Sequence, residues 1–332
     1  MTTLEELLDE GRHTLEVTPE ELAEARSRRN QINDALRDAF PDSRSYINGS
    51  VAHGDANTPL TDVDQGVVVA DAGDYGPGRQ EATPLMEAAR EAIRDHMAGD
   101  YEKLRVTIEG RKRSVLISFG DPVTPGQDDF TADVIVAIDN TDDAGLWIPN
   151  RDIDAGWDRS HPEKHTESVW DAIERTDKMF AKVIRLLKHW RDRHGKPLHS
   201  WNVKALALEC IADEPYTLLE GLDRFFTHAT DAIGEGFTED PAGVSDPIKL
   251  PMSRKDVRWR LQVARDHITE AIAHEEAGRS ALAQHELHLV LPGVVADSDA
   301  ADLRREEVGR LRAGATLITT AAPTLTRGWA PR

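Results

Sequence analysis

The chain has 332 residues, which is long for one domain and sufficient for two lobes. Sixty Asp and Glu residues outnumber forty Lys and Arg, and the net charge of −20 argues against non-specific binding to duplex DNA, which requires a basic surface. The only cysteine, Cys210, excludes a disulfide framework within the chain and a cysteine-rich zinc ribbon. The sequence contains no basic-then-apolar leader and no apolar stretch long enough to cross a bilayer. We therefore expect a soluble, cytoplasmic protein without a membrane partner.

Helix and strand signals alternate over the first 150 residues. Thr18 suits a helix N-cap, Pro19 suits the first helical position, and Glu21 completes a capping box. Period-2 and β-branched patterns then predict short strands, and one longer amphipathic segment predicts a helix. The predicted order is strand 46–48, strand 62–69, helix 79–97, strand 104–108, strand 114–119 and strand 132–138.

From residue 150 onward the pattern is helical. Six helices are predicted, at 163–177, 178–194, 201–212, 215–229, 253–278 and 279–289. The last part of the chain is rich in Thr, Ala and Pro, and we expect it to be loosely held. The predicted organisation is an α/β lobe over 1–150 with an N-terminal helix, an all-helical lobe over 151–312 and a tail over 313–332.

Three acidic residues stand out on the predicted strands. Asp62 and Asp64 are two residues apart, so their side chains point to the same face of a strand, about 6.6 Å apart along the backbone. Two carboxylates in this arrangement can converge on one or two divalent cations. Asp133 interrupts an otherwise apolar strand, where a charged side chain is costly unless it is paired or bound to a metal. The alternatives are a solvent-facing strand start for the pair and an exposed strand edge for Asp133.

A Gly-Ser dipeptide precedes the acidic pair. Gly49 and Ser50 end a predicted strand, and a loop dense in turn-forming residues connects them to Asp62. A Gly-Ser at such a turn can present backbone N–H groups and a hydroxyl to a phosphate.

Together these residues resemble a known signature. The segment from Gly49-Ser50 to Asp62-Val63-Asp64 resembles that of the polymerase-β-like nucleotidyltransferase superfamily, in which a third Asp stands on a later strand. The segments 186–190 and 198–203, with 157–162 and 245–247, resemble the bacterial cyclic-oligonucleotide synthases, the CD-NTase enzymes of CBASS anti-phage defence. The resemblance covers residues 20–280. It departs from the family at Asp55, where these enzymes usually carry Thr, and at 285–292.

The resemblance implies a fold and a set of site residues. The implied fold class is α/β (α+β), a two-lobed polymerase-β-like core with a mixed sheet followed by an all-helical lobe. Asp62, Asp64 and Asp133 would be catalytic and would bind two Mg²⁺ or Mn²⁺ ions. The nucleotide would be bound by five residues: Gly49, Ser50, Lys188, Ser200 and Trp201.

The residues of the second lobe also have local interpretations. The segment 178–196 carries seven Lys and Arg residues and one Asp, and its basic residues form a stripe that we expect to be solvated. Lys188 lies at the border of this stripe and the apolar face, where a lysine can hold a triphosphate as a point charge. Ser200 suits the N-cap of the next helix, which is also an anion site. Trp201 is either a core residue or, as the resemblance implies, a platform on which the donor base stacks.

The function implied by the resemblance is metal-dependent joining of NTPs into a cyclic di- or oligonucleotide, with release of pyrophosphate. The product would activate a downstream effector. Two alternatives stay open: transfer of a nucleotide to the hydroxyl of an RNA, a protein or a small molecule, and non-catalytic nucleotide binding by a regulator. The acidic net charge disfavours an RNA acceptor.

Overall fold

A computed structural model of the chain describes residues 3–124, 126–154 and 156–320. Within these ranges, helices and strands both occur up to Ser160, and the elements that follow are all helices. The elements in chain order are α1 (Leu4–Arg12), a 3₁₀ turn (His13–Leu15), α2 (Pro19–Ala39), β1 (Arg44–Asn48), α3 (Gly49–Ala52), β2 (Asp62–Val69), α4 (Thr83–Met97), β3 (Arg105–Thr107), β4 (Val115–Ser118), β5 (Thr131–Asp139), β6 (Leu146–Pro149), β7 (Trp157–Ser160), α5 (Pro162–Arg175), α6 (Met179–Arg193), α7 (Ser200–Cys210), α8 (Leu218–Glu235), α9 (Arg254–Glu276), α10 (Ser280–Val290) and α11 (Ala300–Thr320).

The strands form one mixed sheet. Its order is β1-β2-β5-β4-β3, and β6 and β7 continue from β5 on a second branch. Strands β2 and β5 pair in parallel, whereas the other pairs are antiparallel. The predicted fold class, a mixed sheet followed by a helical region, is confirmed.

Alternation along the two central strands separates a buried apolar face from the face that carries the acids. Val63 and Val67 of β2, and Val134 of β5, pack in the apolar cluster that includes α2 and α4. The intervening residues belong to the opposite face, because successive side chains of a strand point in opposite directions. Asp64 and Asp133 therefore lie on the face that α2 and α4 leave uncovered.

The helices after residue 160 build a second apolar core. Helices α5 to α10 contribute most of it, and Leu4 and Leu8 of α1 join it, so the N-terminal helix packs with the second half of the chain. The carboxylate of Glu5 fixes this arrangement by accepting hydrogen bonds from the Leu218 and Leu219 N–H groups at the start of α8, at 2.8 and 2.9 Å.

Observed elements extend across two of the predicted domain boundaries. The sheet continues to Ser160, beyond residue 150, and helix α11 runs to Thr320 through the start of the segment expected to form a tail. Residues 321–332 lie outside the described residues. The division into domains stays a prediction.

Candidate active site

Three carboxylates lie along two neighbouring strands. In the parallel register of β2 and β5, Asp64 is directly opposite Asp133, and Asp62 is opposite Thr131. Adjacent strands are about 4.8 Å apart, so the sheet brings together acids that are 69 positions apart in the sequence. The predicted placement of Asp133 on a strand beside the acidic pair is observed.

The first two carboxylates have no counter-charge in contact. Among the described residues, the side chains of Asp62 and Asp64 make no hydrogen bond and no ion pair. Burial, together with the negative charges of Asp62 and Asp133, raises the pKa of Asp64 to about 7. The crowded acids favour any cation that would bind between them.

Asp133 is already paired. The Arg111 guanidinium donates to both carboxylate oxygens, at 2.6 and 2.8 Å, and the Ser114 hydroxyl donates to Oδ1 at 2.6 Å. Within the described ranges, no three His, Cys, Asp or Glu side chains are grouped closely enough to form a metal site as they stand. The fold therefore brings the three acids to one face without assembling them into a finished metal centre.

The Gly-Ser turn lies against the second acid. Gly49 has a φ of +76°, and a Cβ atom at this position would lie 2.0 Å from Oδ2 of Asp64. Only glycine allows this close approach together with a positive φ. Ser50 follows in the short helix α3, so the turn and the acid form one continuous surface.

Lys188 enters this region from the second half of the chain. Its ammonium group donates to the backbone oxygen of Asp55 at 2.9 Å and lies 3.4 Å from Oδ1 of the same residue. The basic stripe of helix α6, which was expected to be solvated, is only partly exposed to solvent. Arg185 donates to the Gly54 oxygen at 2.7 Å, and His189 is buried and hydrogen-bonded to the Pro292 oxygen, because α6 packs against these loops.

Helix α7 begins one residue earlier than predicted, so Ser200 and Trp201 lie one position further into the helix than expected. The helix begins at Ser200, and His199 is the N-cap, so the predicted N-cap role of Ser200 is wrong. The His199 N–H donates to Oδ1 of Asn202 at 3.0 Å. A side chain in the first turn of the helix therefore satisfies the backbone N–H of the N-cap residue. Trp201 is half-buried, and its ring lies 4.6 Å from that of His165, centre to centre.

Sequence reasoning missed a buried polar group beneath these residues. Asp55 is fully buried and forms an ion pair with Lys204 at 2.8 Å, and Lys204 also contacts Nδ1 of His53 at 2.7 Å. Burial opposes ionisation of Asp55, but the two neighbouring ammonium groups outweigh it and hold its pKa below the usual value. One signal was available, since Lys204 is a lone charge within the otherwise apolar stretch 203–208.

A cavity of about 200 Å³ opens beside the acids. Its lining is mostly polar, and Tyr46 and Ile135 contribute apolar surface. The Tyr46 hydroxyl is buried and has no hydrogen-bond partner among the residues that the structure describes. The remaining lining residues are Asn48, Asp64, Gln65, Arg113, Ser114 and Asp133.

Comparison with known proteins identifies the fold. No protein-family model and no curated protein matches the sequence. The structure is similar to that of the DncV cyclic AMP-GMP synthase of Vibrio cholerae, with a TM-score of 0.65, 15% identity, and coverage of 86% of this chain and 93% of that one. It is also similar to CdnC of E. coli MS115-1, solved with ATP, with a TM-score of 0.63, 16% identity, and coverage of 87% and 98%.

Both proteins are bacterial CD-NTases of the polymerase-β-like nucleotidyltransferase superfamily. The chain has the DncV-like fold, and the resemblance found in the sequence is confirmed as a likeness of fold. A further structure of CdnC is a complex with a HORMA protein, at a TM-score of 0.61 and 16% identity, with coverage of 86% of this chain and 95% of that one. No helix in the part of the chain that the structure describes combines the length and apolar character needed to cross a membrane.

Proposed function

We propose that the chain is a metal-dependent nucleotidyltransferase that joins NTPs into a cyclic di- or oligonucleotide and releases pyrophosphate. The observation that carries the proposal is the pair Asp62 and Asp64, whose side chains have no partner in the part of the chain that the structure describes. Asp64 is in register with Asp133 and lines a polar cavity. Paired carboxylates without a counter-charge are costly to a folded chain and are typical of functional sites. The likeness of fold to nucleotidyltransferases supports this interpretation.

The donor set fits a hard divalent cation. Mg²⁺ and Mn²⁺ prefer oxygen ligands, and the carboxylates of Asp62 and Asp64 are free to serve as such ligands. Asp133 would join them after releasing Arg111. Two bound ions would neutralise triphosphate charge and lower the pKa of an acceptor hydroxyl.

The protein itself would bind and orient the substrates. Lys188 would contact the triphosphate, and Gly49 and Ser50 would offer backbone N–H groups and a hydroxyl to it. Ser200 would add a second hydroxyl, and Trp201 would stack on the donor base. Catalysis then consists of holding an acceptor hydroxyl in line with the α-phosphorus and stabilising the charge that develops.

The nature of the product rests on the relatives. DncV is described as a cyclic AMP-GMP synthase, and CdnC has been solved with ATP. We propose the same class of product here, with a 2′- or 3′-hydroxyl of a second nucleotide as acceptor. The product would act on a separate effector protein.

Incubation of the purified protein with Mg²⁺ or Mn²⁺ and four labelled NTPs tests the proposal. Treatment with phosphatase and chromatographic separation should reveal a phosphatase-resistant species, whose mass gives the ring size. The double variant Asp62→Ala/Asp64→Ala should make none. Asp171→Ala is the matched control, because it removes an exposed carboxylate elsewhere and should leave product formation unchanged.

Each other outcome selects an alternative. Pyrophosphate release without a resistant species would indicate a linear product or transfer to another acceptor. ATP binding without pyrophosphate release under either metal would indicate a non-catalytic nucleotide-binding regulator. Equal activity of the double variant and the wild type would exclude the proposed role of the two acids.

A further inference from the structure

Two lysines from different helices converge on one buried carboxylate. Asp55 is 0% exposed, and it contacts Lys188 of α6 and Lys204 of α7. The contacts to Asp55 occupy two N–H groups of Lys188, through the backbone oxygen and Oδ1, which leaves a third N–H for a ligand. Lys204 is itself buried, at 4% exposed, so its ammonium group contacts interior groups rather than a ligand.

The contacts continue from Lys204 to the first strand of the sheet. The Lys204 ammonium donates to Nδ1 of His53, so His53 carries its proton on Nε2, which donates to the Thr166 hydroxyl at 3.1 Å. Thr166 in turn donates to the backbone oxygen of Ile47 at 3.2 Å. We call this series of contacts, from Ile47 through Thr166, His53, Lys204 and Asp55 to Lys188, the buried relay.

The buried relay connects every element that carries a predicted nucleotide-binding residue. Ile47 is two positions before Gly49, and Lys204 lies about one helical turn after Ser200 in α7. The Asp55 N–H also donates to the Ser50 oxygen at 3.1 Å. The region of the Gly-Ser turn is separated from α6 and α7 by a long stretch of chain, and the relay fixes the two regions relative to one another.

We infer that Asp55 is a positioning residue for the triphosphate site. Its carboxylate holds Lys188 at a fixed place relative to the Gly-Ser turn, and Lys204 holds the carboxylate. The inference rests on the proposed function, because it takes an NTP as the ligand of Lys188. A group that positions a ground-state contact affects KM rather than kcat.

A double-mutant cycle between Asp55 and Lys188 tests the inference. Asp55→Asn and Lys188→Met should each raise the KM for ATP by about tenfold and leave kcat nearly unchanged, and the double variant should be no worse than Lys188→Met. ATP affinity, measured by calorimetry with Mg²⁺, should follow the same pattern. Multiplying effects in the double variant, or an unchanged KM in Asp55→Asn, would overturn the inference.

A second pair of variants decides the question if Asp55→Asn does not fold. Thr166→Val removes the two hydrogen bonds that the Thr166 hydroxyl makes in the buried relay, with His53 and with the Ile47 oxygen, and leaves the charges of the relay paired. Thr230→Val is its matched control, since Thr230 is equally buried and its hydroxyl donates only within α8, to the Phe226 oxygen. Thr166→Val should raise the KM for ATP several-fold, and Thr230→Val should leave it unchanged. Equal KM values in the two variants would overturn the inference.

The controls separate this inference from the proposed function. A wild-type protein that neither binds ATP nor releases pyrophosphate would refute both. A wild-type protein that does both, with a KM that responds to Lys188→Met but not to Asp55→Asn or Thr166→Val, would refute the inference alone.

Discussion

Asp64, the metal ligand that we propose, lowers the stability of the folded chain at neutral pH. Its pKa of about 7 means that it keeps a proton in the folded state up to neutral pH, whereas the unfolded carboxyl ionises near pH 4. Stability is therefore lost as the pH rises from about 4 through about 7. The causes are burial and the negative charges of Asp62 and Asp133. An uncharged side chain at this position would avoid both the desolvation cost and the repulsion.

We predict that Asp64→Asn stabilises the protein and abolishes its activity. The free energy of unfolding should rise by roughly 2 kcal/mol at neutral pH, and the gain should shrink toward pH 4. Nucleotide transfer should fall at least about a hundredfold, as expected for loss of a charged catalytic group. Urea unfolding at several pH values and a pyrophosphate assay measure the two effects. A variant that is less stable than the wild type at pH 7 would contradict the electrostatic explanation.

Gly49 and Gly54 allow conformational strain to be separated from a steric clash. Both have positive φ, but a Cβ at Gly49 would meet Asp64. A Cβ at Gly54 would have no atom within 4 Å among the described residues beyond its chain neighbours. Each substitution by Ala should cost about 1–2 kcal/mol of stability through backbone strain. Only Gly49→Ala should also abolish nucleotide transfer, because it displaces the carboxylate. Similar activities in the two variants would show that the close approach has no functional role.

At the scale of elements, the loop between the Gly-Ser turn and β2 is held by helices from both halves of the chain. Helix α6 binds it through Arg185 and Lys188, and α7 binds it through Lys204. Helix α2 binds its end through Glu21, whose Oε1 accepts hydrogen bonds from the Thr58 hydroxyl and the Leu60 N–H. The loop is therefore an interior connection rather than a free surface turn.

Glu21 should be important for stability although it belongs to a helix cap. It is buried, it completes the capping box with Thr18, and it also accepts from the Thr124 hydroxyl. Glu21→Ala should lower the free energy of unfolding by roughly 3 kcal/mol, because several buried donors lose their acceptor. Glu20→Ala, an exposed neighbour in the same turn, should change it by less than about 0.5 kcal/mol. Urea denaturation of both variants measures the difference, and equal losses would refute the assigned role.

At the scale of the whole molecule, buried histidines make stability depend on pH. Burial, reinforced by the Lys204 charge, lowers the pKa of His53 to about 3, and burial also lowers the pKa values of His165 and His189. Between about pH 6.5 and the lowered pKa, the unfolded chain binds protons that the folded chain does not. Each of these histidines therefore reduces stability as the pH falls below about 6.5.

Replacement of His53 should remove its part of this dependence. Between about pH 7.5 and about pH 5.5 it should account for about 1.4 kcal/mol of lost stability. His53→Gln should therefore lose less stability over this interval than the wild type does, by about that amount, and the exposed control His96→Gln should resemble the wild type. Unfolding curves at the two pH values provide the measurement. A wild-type slope in His53→Gln would show that His53 is protonated in the folded state.

Local patterns were sufficient for much of the fold. The capping box at Thr18 and Glu21, the strands and the main helices follow from short-range periodicity and capping. Helix α1 was not predicted, although Thr3 and Glu6 carry the same capping signal. Strands β6 and β7 were missed because four residues carry too little periodicity.

By itself, the sequence determined that Asp62 and Asp64 share a strand face and that Asp133 lies on another strand, because alternation is a local property of the strand. Only the tertiary structure decided that Asp133 pairs with Arg111 and that Asp55 joins two lysines. The Asp55 contacts connect residues 133 and 149 positions apart, and no periodicity encodes which distant charges meet. Long-range packing determines which charges meet, because a buried charge is tolerated only where the fold supplies its partner.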